Sequence, residues 1–250
     1  MNIELDRIYN MDCLEGMKAI PDGSVDAVIC DLPYGTTANK WDSVIPFDKL
    51  WEQYKRIIKP KGAIVLFGSE PFSSTLRMSN PKWYKYDWIW EKEEGVGFQL
   101  AKVRPMMKTE NISVFCKTSP NYYPIMEKLA RPVRVKRAAG SNSNSDTSPL
   151  AHAEERISEY SERYPVNILY FARDTDGFHP TQKPVDLLRY LVLTYTNEGD
   201  TVLDNCMGSG TTAIACIKER RHFIGFELSK EYFDKAVRRI KAEQAQLTLF

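Results

Sequence analysis

Residues 201–212 carry the sequence Thr-Val-Leu-Asp-Asn-Cys-Met-Gly-Ser-Gly-Thr-Thr. A short apolar strand pattern at 201–203 precedes two closely spaced glycines, Gly208 and Gly210, and a helix pattern follows them. Glycine at such a turn lets backbone N–H groups approach a ligand, and the helix N-terminus adds partial positive charge. The stretch therefore predicts a ligand-binding turn between a strand and a helix, although an ordinary strand–helix turn has the same pattern.

Strand and helix patterns alternate on both sides of this turn. Apolar runs predict strands at 25–30, 63–67, 201–203 and 223–226, with further candidates at 86–90 and 112–116. Helical spacing covers 47–58 and 187–195, and further helices are predicted after the glycines and from Ser229. Strands that alternate with helices predict an α/β fold, with a mostly parallel sheet covered by helices on both faces.

The pattern weakens between residues 118 and 178. This stretch contains a basic run at 127–137 and a polar run at 141–145, Ser-Asn-Ser-Asn-Ser. Regular α/β patterning resumes at Thr181. We therefore expect an insertion that carries a mobile loop.

Composition excludes several classes of protein. With 43% hydrophobic residues among 250, the chain has enough apolar side chains for a large core. Its apolar runs are too short to span a bilayer, and its first residues do not resemble a signal peptide. Five cysteines without a close CxxC pair indicate reduced thiols and a cytoplasmic location, and three scattered histidines argue against a metal site. The net charge of +1 says nothing about nucleic acid, so any DNA affinity must come from local clusters.

The residues around the glycines favour one class of ligand. Glu227, at the end of the next predicted strand, suits the two hydroxyls of a ribose. The dinucleotide pattern G-x-G-x-x-G is incomplete because Ala213 stands at its third glycine, and no Gly-Lys-Ser/Thr follows. Asp204 would repel phosphate but could receive a cationic amino group. A nucleoside with an amino-acid tail fits these residues better than a dinucleotide.

A second informative segment, Asp31-Leu32-Pro33-Tyr34, follows the predicted strand at 25–30. An exocyclic amine of a base is a poor nucleophile, and two hydrogen-bond acceptors on its hydrogens would free its lone pair. Asp31 could supply one acceptor and the Leu32 carbonyl the other, because Pro33 restricts the backbone on both sides. Tyr34 could stack on a base swung out of the duplex. A strand-ending turn with an exposed aspartate is the simpler alternative.

Together these segments resemble the amino-methylating DNA methyltransferases that use S-adenosylmethionine. Asp31 to Tyr34 is similar to their Asp-Pro-Pro-Tyr motif, residues 204–212 are similar to their cofactor motif, and residues 179–184, His-Pro-Thr-Gln-Lys-Pro, are a third match. The catalytic motif precedes the cofactor motif, which is the order of the β subgroup. The resemblance implies a Rossmann-like methyltransferase fold with a catalytic half at 1–118, an inserted target-recognition region at 119–178 and a cofactor half at 179–250.

The resemblance also implies site residues. The catalytic pocket would comprise Asp31, Leu32, Pro33 and Tyr34. The cofactor site would comprise Asp12, Lys183, Asp204, Gly208, Gly210, Thr211 and Glu227. Within it, the two glycines would wrap the methionine part of the cofactor, Glu227 would hold the ribose, Asp12 would contact the adenine, and Lys183 would lie near the cofactor carboxylate.

Two departures from the family motifs bear on activity. Leu32 replaces the first proline of the usual pair, but its carbonyl can still accept a hydrogen bond, so we expect activity to survive. Asn205 and Cys206 replace a Pro-Phe pair, and loss of that aromatic ring would loosen packing around the methionine tail. Both departures are therefore compatible with an enzyme of reduced activity.

Aspartate at the head of the catalytic motif favours adenine N6 as the target, since cytosine-N4 enzymes more often carry serine there. We expect DNA recognition in the insertion, with phosphate contacts from Arg131, Arg134, Lys136 and Arg137; a solvated surface segment is the alternative. Weaker candidates are Arg163, Arg173 and Lys40. His179 is interpreted as structural. Five aromatic residues suggest base stacking, but their period-two spacing favours core packing: Trp83, Tyr84, Tyr86, Trp88 and Trp90.

The first hypothesis is therefore a site-specific methyltransferase acting on double-stranded DNA, with no membrane partner. A homodimer and a cognate restriction endonuclease are partners that the family allows. A second hypothesis is a DNA-binding or anti-restriction protein that has lost turnover. RNA or protein-glutamine methylation is disfavoured by the motif order and the insertion, and a nicotinamide dehydrogenase by the missing third glycine.

Overall fold

The computed structural model describes residues 2–35, 43–137, 156–174 and 182–247. The chain forms two compact units, one of residues 1–123 and 167–250 and one of residues 124–166. Residues 119–123 and 167–174, which the sequence interpretation placed in the insertion, group with the larger unit. Three expectations fall outside the described residues: the mobile loop at 141–145, Lys40 and His179.

The larger unit is built on one eight-stranded sheet. Its strands are β1 (Arg7–Tyr9), β2 (Val25–Cys30), β3 (Ile58–Gly68), β4 (Tyr84–Val96), β5 (Met107–Phe115), β8 (Ile168–Tyr170), β9 (Thr201–Asp204) and β10 (His222–Phe226). Their order in the sheet is β1-β10-β9-β2-β3-β5-β4-β8. The first five strands in this order are parallel, and β5 is antiparallel to its two neighbours.

Within the described residues, six α-helices cover the sheet: α1 (Cys13–Met17), α2 (Phe47–Ile57), α3 (Phe72–Ser79), α4 (Val185–Tyr195), α5 (Thr211–Lys218) and α6 (Lys230–Leu247). The amphipathic spacing predicted for α2 is confirmed, since Leu50, Tyr54 and Ile57 are all fully buried. The helix ends one residue before the predicted bound because Ile58 already adopts extended geometry and begins β3. The short edge strand β8 was not predicted.

Two apolar cores form on opposite faces of the sheet. In β2, Ala27 and Ile29 belong to the core beneath α4, α5 and α6, whereas Val28 and Cys30 belong to the core beneath α1, α2 and α3. This alternation is the period-two geometry of a strand buried on both sides. The predicted α/β fold, with a mostly parallel sheet covered on both faces, is confirmed.

The aromatic run of β4 packs as the sequence spacing favoured. Trp88 and Trp90 are buried in the core beneath α4, and the Trp88 indole donates a hydrogen bond to the Tyr195 hydroxyl over 2.6 Å. Trp83, Tyr84 and Tyr86 are partly buried and pack against the two cores. These rings contribute mainly to the core.

The smaller unit contains a two-stranded antiparallel sheet of β6 (Glu127–Arg137) and β7 (Arg156–Arg163). Arg134 lies opposite Glu159 and Val133 opposite Tyr160. Val133, Tyr160 and Ile157 keep large exposed fractions, so this ribbon presents both basic and apolar side chains to its surroundings.

None of the helices in the described ranges is long and apolar enough to cross a membrane.

We expect Leu191→Ala to lower the free energy of unfolding by about 2–5 kcal/mol, because Leu191 is fully buried beneath the sheet and its truncation leaves a cavity. Urea denaturation at neutral pH measures the loss. Leu5→Ala is the matched control, since Leu5 is 47% exposed and its truncation leaves no cavity. Equal losses in the two variants would contradict the packing described for α4.

Candidate active site

The acidic residues singled out in the sequence gather at one edge of the sheet. Asp31 follows β2, Asp204 ends β9 and Glu227 follows β10, and these three strands are parallel neighbours in the sheet. The carboxyl ends of parallel strands meet at a common edge, and ligands of open α/β sheets bind outside that edge. The two distant motifs are thus brought together by the pairing of β2 with β9.

A cavity of about 1000 Å³ opens at this edge. Of the predicted catalytic and cofactor residues, ten line it: Asp12, Asp31, Leu32, Pro33, Tyr34, Lys183, Asp204, Gly208, Thr211 and Glu227. The eleventh, Gly210, is not part of the lining and is the N-cap of α5. One cavity therefore contacts both sequence motifs.

Two glycines give the turn after β9 its shape. Gly208 has φ +54° and Gly210 has φ +84°, backbone conformations that side-chain-bearing residues rarely adopt. A Cβ on Gly210 would also lie 3.2 Å from the Ala236 Cβ. Glycine at 210 thus serves both the turn and the packing of α5 against α6.

The Asp204 carboxylate fixes this turn by two hydrogen bonds. One carboxylate oxygen accepts the Cys206 backbone N–H over 3.0 Å, and the other accepts the Thr212 hydroxyl over 2.6 Å. Burial raises the pKa of Asp204 from 3.8 to about 6, and these two hydrogen bonds oppose that rise. The ionised carboxylate therefore lowers the stability of the fold at neutral pH, and it lines the cavity.

Glu227 directly follows β10, and Asp12 lies between β1 and α1. The Glu227 carboxylate accepts the backbone N–H groups of Gly208 over 2.8 Å and Ser229 over 2.7 Å. Burial raises the pKa of Glu227, although these backbone donors favour its charged form. Asp12 is the N-cap of α1 and accepts the Glu15 backbone N–H over 3.1 Å. Both carboxylates are fixed in direction and retain lone pairs for a ligand.

The Asp31–Tyr34 segment is held by a hydrogen-bonded cluster. The Tyr34 hydroxyl lies 2.6 Å from Asp31 Oδ1, and Lys183 Nζ lies 2.5 Å from Asp31 Oδ2. The Tyr34 ring packs on Phe72, with centroids 4.9 Å apart, and Leu32 is buried in the core beside it. Leucine in place of the usual proline is thus anchored by apolar packing.

Lys183 lines the cavity, and its place near a cofactor carboxylate stays a prediction. Its ammonium lies between two carboxylates of this chain, Asp31 and Glu110. Burial disfavours the ammonium, but the two carboxylates outweigh burial and raise the pKa of Lys183. The Lys183 ammonium therefore lies in the half of the cavity that contains Asp31.

Sequence reasoning missed Glu110 and Lys92. Glu110 is 7% exposed and accepts the Tyr34 hydroxyl over 2.8 Å, while Lys92 Nζ lies 3.0 Å from its second oxygen. Burial alone would raise the pKa of Glu110, but Lys183 and Lys92 lower it to about 2. For Asp31, burial and the Glu110 charge raise the pKa, and Lys183 opposes them.

The second motif departure is also accommodated. Asn205 is buried; its side-chain oxygen accepts the Tyr54 hydroxyl over 2.5 Å, and its side-chain nitrogen lies 3.5 Å from Cys206 Sγ. Hydrogen bonding to Cys13 lowers the pKa of the Cys206 thiol, but hydrogen bonding to Cys30, burial and nearby negative charge together raise it. The polar pair thus has partners within the protein. No three His, Cys, Asp or Glu side chains in the described part of the chain are grouped to hold a metal ion.

The four residues expected to contact DNA belong to β6 in the smaller unit. Arg131 and Arg134 are exposed, and Arg134 forms an ion pair with Glu159 over 2.8 Å. Arg163 on β7 pairs with Glu127 over 2.7 Å. Lys136 and Arg137 continue the strand. Arg173, a weaker candidate, lines the cavity in the larger unit.

Comparison with known proteins gives consistent matches. The family model N6_N4_Mtase, described as DNA methylase, matches residues 25–238. The type II methyltransferase M.HpaI of Haemophilus parainfluenzae is 26% identical over 250 residues, which cover 95% of this chain and 74% of that protein. The crystal structure of an M1.HpyAVI–SAM complex has a TM-score of 0.61 and 25% identity, over 93% of this chain and 98% of that one. The structure of the cytosine-N4-specific PvuII DNA methyltransferase has a TM-score of 0.66 and 16% identity, over 98% of this chain and 93% of that one.

We expect Asp204→Asn to stabilise the fold at neutral pH. The raised pKa means that the folded state binds this proton more tightly than the unfolded chain, so the wild type loses stability as pH rises from about 4 to about 6. A shift of this size corresponds to about 3 kcal/mol, an upper estimate. Asparagine can keep both hydrogen bonds, because the Thr212 hydroxyl can rotate to accept.

Urea denaturation of both proteins at pH 4.5, 6 and 7.5 measures the effect. The difference in unfolding free energy should grow in favour of Asp204→Asn across this range. A difference that stays constant with pH would show that the buried carboxylate does not titrate as described.

Proposed function

Since this chain belongs to the N6/N4 family of DNA methylases, we propose that it is a site-specific methyltransferase that transfers a methyl group from S-adenosylmethionine to N6 of adenine in double-stranded DNA. The family match spans most of the chain and agrees with the resemblance predicted from the motifs. An amino-directed DNA methyltransferase follows from the family. The adenine target is the finer proposal, and it is supported by aspartate at the head of the catalytic motif.

One observation carries the proposal: the Asp31–Tyr34 segment and the glycine turn line the same cavity. An acceptor for an amine thus lies beside a turn suited to a nucleoside with an amino-acid tail. Both halves of a methyl transfer require such proximity, because the nucleophile must be held close to the methyl group that it attacks.

The cofactor half of the cavity fits S-adenosylmethionine by its donor set. Glu227, Asp12 and Asp204 present three carboxylates, and Gly208 and Gly210 leave the turn without side chains. Carboxylates favour a ligand with a sulfonium and an ammonium over one with phosphates. We propose that Glu227 holds the ribose hydroxyls, Asp12 the adenine and Asp204 the amino group, with Thr211 at the start of α5. When bound, the cofactor supplies an electrophilic methyl group.

The protein's contribution to the reaction centres on the target amine. Asp31 accepts one amine hydrogen and the Leu32 carbonyl the other, which favours a pyramidal nitrogen with a free lone pair. Pro33 fixes φ and removes a competing donor at this step. Tyr34 would stack on the flipped-out base while its hydroxyl orients Asp31. Attack does not require prior proton removal, and the proton leaves the nitrogen after methyl transfer.

The β6 strand is the proposed DNA-contacting element. It carries five basic residues and one acidic residue in eleven positions, and its described side chains are largely exposed. Phosphate contacts position a protein on DNA without specifying sequence, so these residues would set affinity rather than site choice. From the family resemblance we also propose that the protein forms a homodimer and acts beside a cognate restriction endonuclease.

The first test uses labelled S-adenosylmethionine and unmethylated duplex DNA, followed by digestion to nucleosides. We expect labelled N6-methyladenine from the wild type and a loss of at least about 100-fold in Asp31→Ala, since the amine then lacks an acceptor. Asp48→Ala is the matched control, because Asp48 is exposed on α2 and should leave activity unchanged.

Labelled N4-methylcytosine would preserve the mechanism and overturn the adenine assignment. Absence of label on DNA, with cofactor binding retained, would contradict the proposal in favour of a DNA-binding protein without turnover or a different methyl acceptor.

A second test addresses the DNA interface. Replacing Arg131, Arg134, Lys136 and Arg137 by glutamine should weaken DNA binding and reduce the slope of log K against log salt by about 0.9 for each phosphate that is no longer neutralised. Fluorescence anisotropy at several salt concentrations measures both quantities, and calorimetry with S-adenosylmethionine alone should be unaffected. An unchanged salt slope would support the alternative of a solvated surface strand.

A further inference from the structure

The contacts of Asp31 form a closed ring of polar groups. Asp31 Oδ1 meets the Tyr34 hydroxyl, and Asp31 Oδ2 meets Lys183 Nζ. Both of these groups also contact the same oxygen of Glu110, the hydroxyl over 2.8 Å and the ammonium over 3.1 Å. We propose that Glu110, held by Lys92, is a positioning residue for methyl transfer that shares Lys183 and Tyr34 with Asp31 and so keeps Asp31 available to the target amine.

The placement of Glu110 suits this role. It lies on β5 with its side chain 7% exposed, and Lys92 on the neighbouring strand β4 contacts its other oxygen over 3.0 Å. Aromatic faces support both ammonium groups: Lys183 Nζ lies 5.1 Å from the Phe67 ring and Lys92 Nζ 5.2 Å from the Trp90 ring. Each member of the cluster is therefore held from more than one side.

Charge balance explains why a second carboxylate is required. Lys183 contacts both carboxylates and Lys92 contacts Glu110, so this cluster of two carboxylates and two ammonium groups is neutral as a whole. Without the Glu110 charge, the Lys183 ammonium would pair with Asp31 alone. Asp31 would then be a weaker acceptor for an amine hydrogen and for the proton that leaves the methylated nitrogen.

The hydroxyl of Tyr34 leads to the same conclusion. It has one proton but faces two carboxylate oxygens, one from Asp31 and one from Glu110. Glu110 therefore competes for this donor as it competes for Lys183. Both competitions leave Asp31 less fully satisfied by the protein and more available to a substrate amine.

The role predicts a pH signature, because Asp31 must be ionised to accept the amine hydrogen. The groups that act on Asp31 are Lys183, Glu110, Tyr34 and, from the neighbouring strand ends, Cys30 and Asp204. The negative charge of Glu110 raises the pKa of Asp31. Glu110→Gln should therefore lower that pKa and move the acidic limb of the kcat profile to lower pH.

The experiment compares Glu110→Gln, Glu110→Asp and the wild type in steady-state methylation of duplex DNA across pH. For Glu110→Gln we expect kcat to fall about 10- to 100-fold, a range typical of a lost polar group at an active site. KM for S-adenosylmethionine should stay within about threefold, and the acidic limb should move down. Glu110→Asp keeps the charge and should restore the wild-type limb. Glu93→Gln, at an exposed position of β4, is the matched control.

A second readout does not depend on turnover. Carbon-13 NMR of the Asp31 carboxyl, assigned with Asp31→Asn, should show a lower pKa in Glu110→Gln than in the wild type. This role rests on the proposed function: absence of methyl transfer by the wild type would refute that function, while the NMR titration would still test the coupling. An unshifted Asp31 titration, or an unshifted acidic limb with equal loss of kcat in Glu110→Asp, would overturn the role of Glu110.

Discussion

The parallel pairing of β2 with β9 is the constraint on which the site depends. Val28 lies opposite Leu203 in this register, so the two strands end side by side although their motifs are far apart in the chain. Asp31 and Asp204 then emerge at one edge of the sheet. Parallel strands with buried cores on both faces resist a register slip, because a one-residue shift would move each apolar side chain to the wrong face. The geometry of the cavity thus follows from packing in the two cores.

Much of the fold was predictable because its signal is local. Continuous apolar runs identified β2, β9 and β10, and helical spacing identified α2 and α4, since burial on one or both faces leaves a period in the sequence. The end of the insertion was harder to predict from the sequence, because the strand that follows it, β8, has a weak pattern. β8 is three residues long and pairs only at the edge of the sheet, next to β4. Such a strand owes its conformation to its neighbour, and the sequence of residues 168–170 carries too short a pattern to predict it.

The site was predictable only where a motif marked it. Asp31, Asp204 and Glu227 follow strand ends beside recognisable turns, whereas Glu110 and Lys92 lie in strands without one. The sequence did contain a signal. Alternate residues of a strand lie on one face, so Glu110 lies on the same face of β5 as the buried Ile112 and Val114, and Lys92 on the same face of β4 as the buried Trp90. The topology was needed to decide that they belong to the same cluster as Asp31. Because β5 is antiparallel, its N-terminal part lies at the same edge as the carboxyl ends of β2 and β4.

The two halves of the cavity differ in charge, and the difference matches what each must hold. The cofactor half presents Asp12, Asp204 and Glu227, and this excess of carboxylate suits a cationic ligand. The half around Asp31 is balanced by Lys92 and Lys183, which suits a neutral base. Methyl transfer moves positive charge from the sulfonium to the base nitrogen, and loss of a proton then removes it. A balanced cluster can stabilise that transient charge through Asp31 and still release the neutral product, whereas a strongly acidic pocket would favour the protonated, cationic product and so slow its release.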